Sequence, residues 1–114
     1  MTKLKPILPA LKEKKRYLVY EIISERKLGK DLSEETVKKV ISLLGIFDSA
    51  KAGIQRVEYN KRAQRGVLRV ANKEVDKLKT SLALINQLND EEITIRTIGV
   101  SGILKKARNK YFAS

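Results

Sequence analysis

The chain has 114 residues, 42% hydrophobic and 33% charged, and its 25 Lys and Arg against 13 Asp and Glu leave a net charge of +12. That length holds a single core and points to one domain. With no Cys and no His, disulfides, zinc–thiolate sites, thiol nucleophiles and the commonest general base are all excluded.

The charge is concentrated at the ends, with +6 on residues 1–30 and +5 on residues 93–114, the latter without any acidic group. Such a surplus describes partners rather than fold, and a nucleic acid is the polyanion that best supplies the counter-charge. No apolar run approaches the roughly 18 residues of a membrane span, and the proline-interrupted ILPAL near the start is too short for a signal-peptide core. No membrane partner and a cytoplasmic setting are therefore expected.

Residues 1–14 hold both prolines, Pro6 and Pro9, and read as a basic N-terminal arm. From Tyr17 to Ile23 the side chains alternate, Leu18, Tyr20 and Ile22 against Tyr17, Val19 and Glu21, which predicts a central strand. Lys12, Lys14, Lys15 and Arg16 crowd the mouth of that strand. Like charges repel, so this placement asks for something negative to meet it.

Ser33, followed by Glu34 and Glu35 at the positive end of the dipole, opens a helix with Val37, Val40, Ile41, Leu44 and Phe47 at helical spacing. Ile54, Val57 and Tyr59 predict a second strand, NKRAQRG a hairpin loop, and Val67 to Ala71 a third strand. Asn72 is placed to cap a helix with Val75, Leu78, Leu82, Ile85 and Leu88 along one side. Glu92 to Val100 predicts a fourth strand, and Ser101 caps a last helix, GILKKARNKYF.

The order β-α-β-β-α-β with a helix appended is the split βαβ arrangement. The expected fold is α+β, ferredoxin-like or RRM-like: an antiparallel sheet with two helices on one face. Its parts are the arm (1–14), the core (15–100) and a C-terminal basic helix (101–114).

RNA-recognition versions of this fold stack bases on aromatic residues of the third strand. Here Val67 and Arg69 occupy those positions, so base stacking there is not expected. Adjacent Glu34 and Glu35 point apart on a helix, which makes them dipole partners rather than a catalytic pair. Asp90, Glu91 and Glu92 sit in a turn, and nothing else converges on them to hold a metal.

The last helix says more. Ile103, Leu104, Ala107 and Tyr111 make an apolar stripe, and Lys105, Lys106, Arg108 and Lys110 fill the remaining arc. Four cations with no acidic residue after Glu92 exceed what dipole capping requires, which favours phosphate contact. Ser101 and Gly102 at the helix start, with Lys61, Arg62 and Arg65 of the hairpin, complete the candidate RNA contacts. On the other sheet face, Tyr17, Val19 and Val67 beside Arg69 offer apolar area for a protein partner.

The stretches LKEKKRYLVYEIISE, GVLRV, SLALINQLN and IRTIGVSGILKKARNKYF together resemble the family of archaeal ribonuclease P protein component 2. They run in order from Leu11 to Phe112. The most specific pieces are Lys14–Tyr17 and the Ser101–Gly102 pair. The resemblance implies a subunit of the ribonucleoprotein that removes the 5′ leader from precursor tRNA, in which the RNA performs the hydrolysis with Mg²⁺.

It also implies an RRM-like fold, pairing with ribonuclease P protein component 3 (a barrel-like subunit), contact with other ribonuclease P proteins, and dimerisation through a second copy of this subunit. The chain itself is then expected to bind no cofactor and carry no catalytic residue, the Mg²⁺ belonging to ribonuclease P RNA. Two other readings compete. A ribosomal or other architectural RNA-binding protein would share the charge and fold class. A ferredoxin-like hydrolase such as an acylphosphatase needs a glycine-rich phosphate loop, and SERKLGKDL has one glycine.

Overall fold

The computed structural model describes residues 14–112. β1 (Lys15–Ser24) is the middle strand of an antiparallel sheet that also contains β2 (Gln55–Asn60), β3 (Arg65–Ala71), β4 (Gln87–Leu88) and β5 (Glu91–Ser101), in the order β2-β3-β1-β5-β4. α1 (Ser33–Ala52) joins β1 to β2, and α2 (Val75–Leu84), entered by a 3₁₀ turn at Asn72–Glu74, follows β3. α3 (Leu104–Ala107) widens into a π turn at Arg108–Phe112. The expected split βαβ architecture is therefore present, with β4 added at the sheet edge.

Alternation along β1 sorts its side chains as expected. Leu18, Tyr20 and Ile22 enter the main core with Val40 of α1, Leu78 and Leu82 of α2, and Leu68 and Val70 of β3. Val19 belongs to a second, smaller core on the opposite face, with Tyr17 packed against it. Burial pushes the Tyr20 phenol far above its ordinary range.

Several local details depart from the periodicity. α1 is interrupted at Gly45 (φ 84°, ψ 171°), a conformation glycine adopts without the Cβ clash other residues meet. Past that break the helix face is re-aimed, so Phe47 is 84% exposed rather than buried, with Ile46 75% exposed beside it. α2 stops at Leu84. Ile85 and Leu88 are still buried, but from an extended segment and from β4. The turn between β4 and β5 places Asn89 and Asp90 both at positive φ (49° and 67°), the pair that a tight two-residue hairpin requires.

Neither predicted cap forms. Ser101 Oγ instead accepts the Ile103 N–H two residues on (3.1 Å), and the Asn72 side chain turns away to Arg16. At the start of α1, Asp31 accepts both the N–H and the hydroxyl of Ser33, and these bonds hold its carboxyl below the usual range.

Candidate nucleic-acid interface

The strand register gathers three chain segments at one end of the sheet. Lys15 lies opposite Ala71, Tyr17 lies opposite Ser101, and the Asn72 N–H donates to the Lys14 carbonyl (2.8 Å). The start of β1, the end of β3 and the end of β5 thus meet on one rim. Lys14 is exposed there. The Lys15 ammonium sits beside Gly53, at the negative end of the α1 dipole. Arg16 Nε donates to Asn72 Oδ1 (2.8 Å), while its Nη1 lies against Gly102 so closely that a Cβ there would overlap it.

From this rim α3 crosses the sheet face opposite α1 and α2. Ala107 packs with Val19 and Val67, and all three are buried. The Tyr111 ring lies flat on Gly99, where any Cβ would collide with it. Arg65 Nη1, at the base of the β2–β3 hairpin, donates to the Tyr111 carbonyl (3.0 Å) and so fixes the far end of the crossing. Phe112 replaces Ile103 in the apolar stripe, and Ile103 is 53% exposed. Burying Val19 and Val67 this way contributes about 1.5–3 kcal/mol for each side chain.

Lys105, Lys106, Asn109 and Lys110 consequently face outward along α3, forming a basic ridge between rim and hairpin. Lys110 Nζ stands 5.6 Å from the Tyr111 ring centroid, within cation–π reach.

Two arginines placed among the RNA contacts by sequence are engaged by carboxylates of the chain itself. Arg65 also pairs with Glu21 (3.2 Å), which in turn holds Arg96 (2.9 Å). Arg108 pairs with Glu58. Lys61 and Arg62 are exposed in the hairpin, but at the other end of the sheet: the Ile22 N–H donates to Gln64 in their loop (2.7 Å), about 20–25 Å along β1 from Lys15. Lys27 joins them there, its ammonium donating to the Arg62 carbonyl (2.6 Å). Lys12 lies outside the described residues.

The apolar area assigned to Tyr17, Val19, Val67 and Arg69 is largely occupied by the chain itself. Val19 and Val67 are covered by α3, so neither presents a surface to a partner protein. Tyr17 packs against the same cluster, and Arg69 Nη1 donates to Gln55 Oε1 (3.3 Å). The apolar stripe of the last helix and the apolar strand residues satisfy each other. Sequence reasoning identified both halves and did not join them.

Two rim residues were missed. Asn72 read as a helix cap, and Lys73, exposed beside it, was not among the candidate contacts. Among the described residues no group of three or more Asp or Glu side chains is arranged to hold a metal ion. Glu91 is engaged by Arg26, and this hydrogen bond holds its carboxyl below the usual range. No helix among the described residues is long and apolar enough to cross a membrane.

The described residues thus form a ferredoxin-like α+β protein with a basic rim at one end of its sheet and a basic ridge on the face opposite its two longer helices. The chain belongs to the Rpp14/Pop5 family, whose family model matches residues 16–112. Similar proteins named ribonuclease P protein component 2 occur in Thermococcus gammatolerans, 35% identical over 92% of this chain and 88% of the relative, and in Methanococcus maripaludis, 37% identical over 95% and 82%. The Pyrococcus horikoshii protein of that name is 32% identical over 99% of this chain and 95% of its own length.

Proposed function

We propose that this chain is a protein subunit of ribonuclease P, binding and supporting the RNA that removes the 5′ leader from precursor tRNA. The observation that carries this is the family match, which spans both the rim strand and the basic α3. In this reading the rim (Lys14, Lys15, Arg16, Ser101, Gly102) and the ridge (Lys105, Lys106, Lys110) neutralise RNA phosphates, with Lys61 and Arg62 as a second, distant contact. The RNA with its Mg²⁺ performs the hydrolysis. The chain supplies charge and shape, and binds no cofactor of its own.

The protein contact belongs on another surface. Residues 41–47 hold no charged side chain in a chain that is one-third charged, and they leave Ile41 and Leu43 exposed before the Gly45 break and Ile46 and Phe47 exposed after it. An apolar, uncharged patch of this kind suits a protein rather than a polyanion, and we assign it to component 3. The assembly operates in the cytoplasm. Purifying the tagged chain from its native cell and sequencing the bound RNA tests the reading. Enrichment of ribonuclease P RNA with other subunits of that enzyme is expected; enrichment of ribosomal RNA instead would transfer the chain to the architectural class.

A further inference from the structure

Arg16 differs from four of the other fixed arginines of the chain. Arg26 and Arg108 each face a carboxylate of their own and Arg65 and Arg96 share that of Glu21, while Arg69 rests on the Gln55 amide and Arg56 on the Ser33 hydroxyl. Arg16 is held by a neutral amide: Asn72 Oδ1 accepts from its Nε (2.8 Å), and no acidic side chain pairs with it among the described residues. One of the five guanidinium N–H donors is thereby used, and the rest have no protein acceptor among the described residues.

Its direction is set as well. The side chain is half-buried, pinned at Nε by Asn72 and backed at Nη1 by Gly102, the residue without a side chain to push it away. Three elements therefore converge to orient one cation that has no carboxylate partner among the described residues: β1 through Arg16, the turn after β3 through Asn72, and the end of β5 through Gly102. The contact between Asn72 and Lys14 (2.8 Å) brings exposed Lys14 and Lys73 alongside. A planar fork held rigid with its charge intact costs little further ordering when it meets two oxygens of one phosphate.

We propose that Arg16, positioned by Asn72 and seated on Gly102, is a preformed phosphate fork for the RNA backbone, flanked by Lys14 and Lys73. This rests on the RNA-binding reading above and assigns Asn72 and Lys73 roles in it. Asn72 is a positioning residue, since it acts through Arg16.

The test measures binding of the full chain to a short labelled RNA duplex across a salt series, with melting temperature recorded for each variant. Arg16→Ala should weaken binding and flatten the slope of log affinity against log salt by about one. Arg16→Lys keeps the charge and loses the fork, so affinity should fall with little change in slope. Asn72→Ala and Gly102→Ala should each cost roughly three- to tenfold in affinity, and Asn72→Ala should have no further effect in the Arg16→Ala background.

If Arg16 and Asn72 variants lower only the melting temperature and leave affinity and slope unchanged, the fork is refuted. Weakening by Lys105→Ala/Lys106→Ala in that same experiment would leave the RNA reading standing. An unmodified chain that does not bind the duplex at all would overturn the fork and the RNA reading together.

Discussion

Replacing Gly99 by Ala places a methyl group inside the Tyr111 ring, which lies directly on that glycine. Either the ring stays and the sheet distorts, at a typical overpacking cost of about 1–3 kcal/mol, or the ring leaves. Tyr111 is half-buried, so its departure forfeits about half of the 1.5–3 kcal/mol that full burial of a large side chain brings, with the Phe112 contacts following. Both routes give a loss of about 1–3 kcal/mol, equivalent to roughly 4–8 °C in melting temperature per kcal/mol for a domain near this size. Chemical denaturation of Gly99→Ala, Tyr111→Ala and the double variant measures it. Once Tyr111→Ala has removed the ring, Gly99→Ala should cost almost nothing more, so the cycle should show an interaction energy of similar size. Additive losses, or a Gly99→Ala variant as stable as the parent, would refute the docking of α3 on β5.

Three other outcomes are expected. Tyr59 is pushed up to about 12 by burial and Tyr20 is raised further, whereas unfolded phenols titrate near 10; the stability these two phenols contribute should therefore be fully present below about pH 10 and be lost as pH rises towards 12, and urea midpoints across that window should fall less for Tyr20→Phe and Tyr59→Phe. Glu58→Gln releases Arg108 from its carboxylate, so it should cost under about 1 kcal/mol in denaturation yet tighten RNA binding at low salt, the opposite of what a purely structural ion pair would give. Ile46→Ser/Phe47→Ser should leave stability within about 0.5 kcal/mol, because both side chains are already exposed, while abolishing co-elution with component 3; retained co-elution would move that contact elsewhere, and loss of self-association instead would make the patch a dimer surface.

Much of the architecture could be read from alternation and spacing, because sheet faces and helix stripes are enforced by burial. Leu18, Tyr20 and Ile22 had to share one side of β1, and Val40, Leu78 and Leu82 had to cover it. What escaped the sequence was set by tertiary contacts. Phe47 fits the helical period of α1, but the positive φ at Gly45 turns it outward, and nothing in the period announces a break. Leu88 fits the period of α2 and is buried, yet it reaches the core from β4. Asn72 has the chemistry of a cap, and only the antiparallel register that brings Lys14 beside it reveals Arg16 as the side chain it holds. The cations of the rim were visible as a charge run. The division of the arginines into those that face a carboxylate and those that do not was not, since Glu21 reaches Arg65 from the neighbouring strand and Glu58 reaches Arg108 in the turn that ends α3.

The central claim is that the basic rim and ridge support a catalytic RNA rather than perform chemistry. Reconstituting ribonuclease P RNA and component 3 with either the parent chain or Lys105→Ala/Lys106→Ala/Lys110→Ala, and following precursor-tRNA cleavage as Mg²⁺ is varied, tests it most directly. The parent chain should promote cleavage at limiting Mg²⁺ and show none without the RNA; the ridge variant, with its apolar contacts intact, should be defective at low Mg²⁺ and partly recover as added Mg²⁺ replaces the missing charge. Specific cleavage by the RNA-free protein, or a ridge variant equal to the parent at every Mg²⁺ concentration, would contradict it.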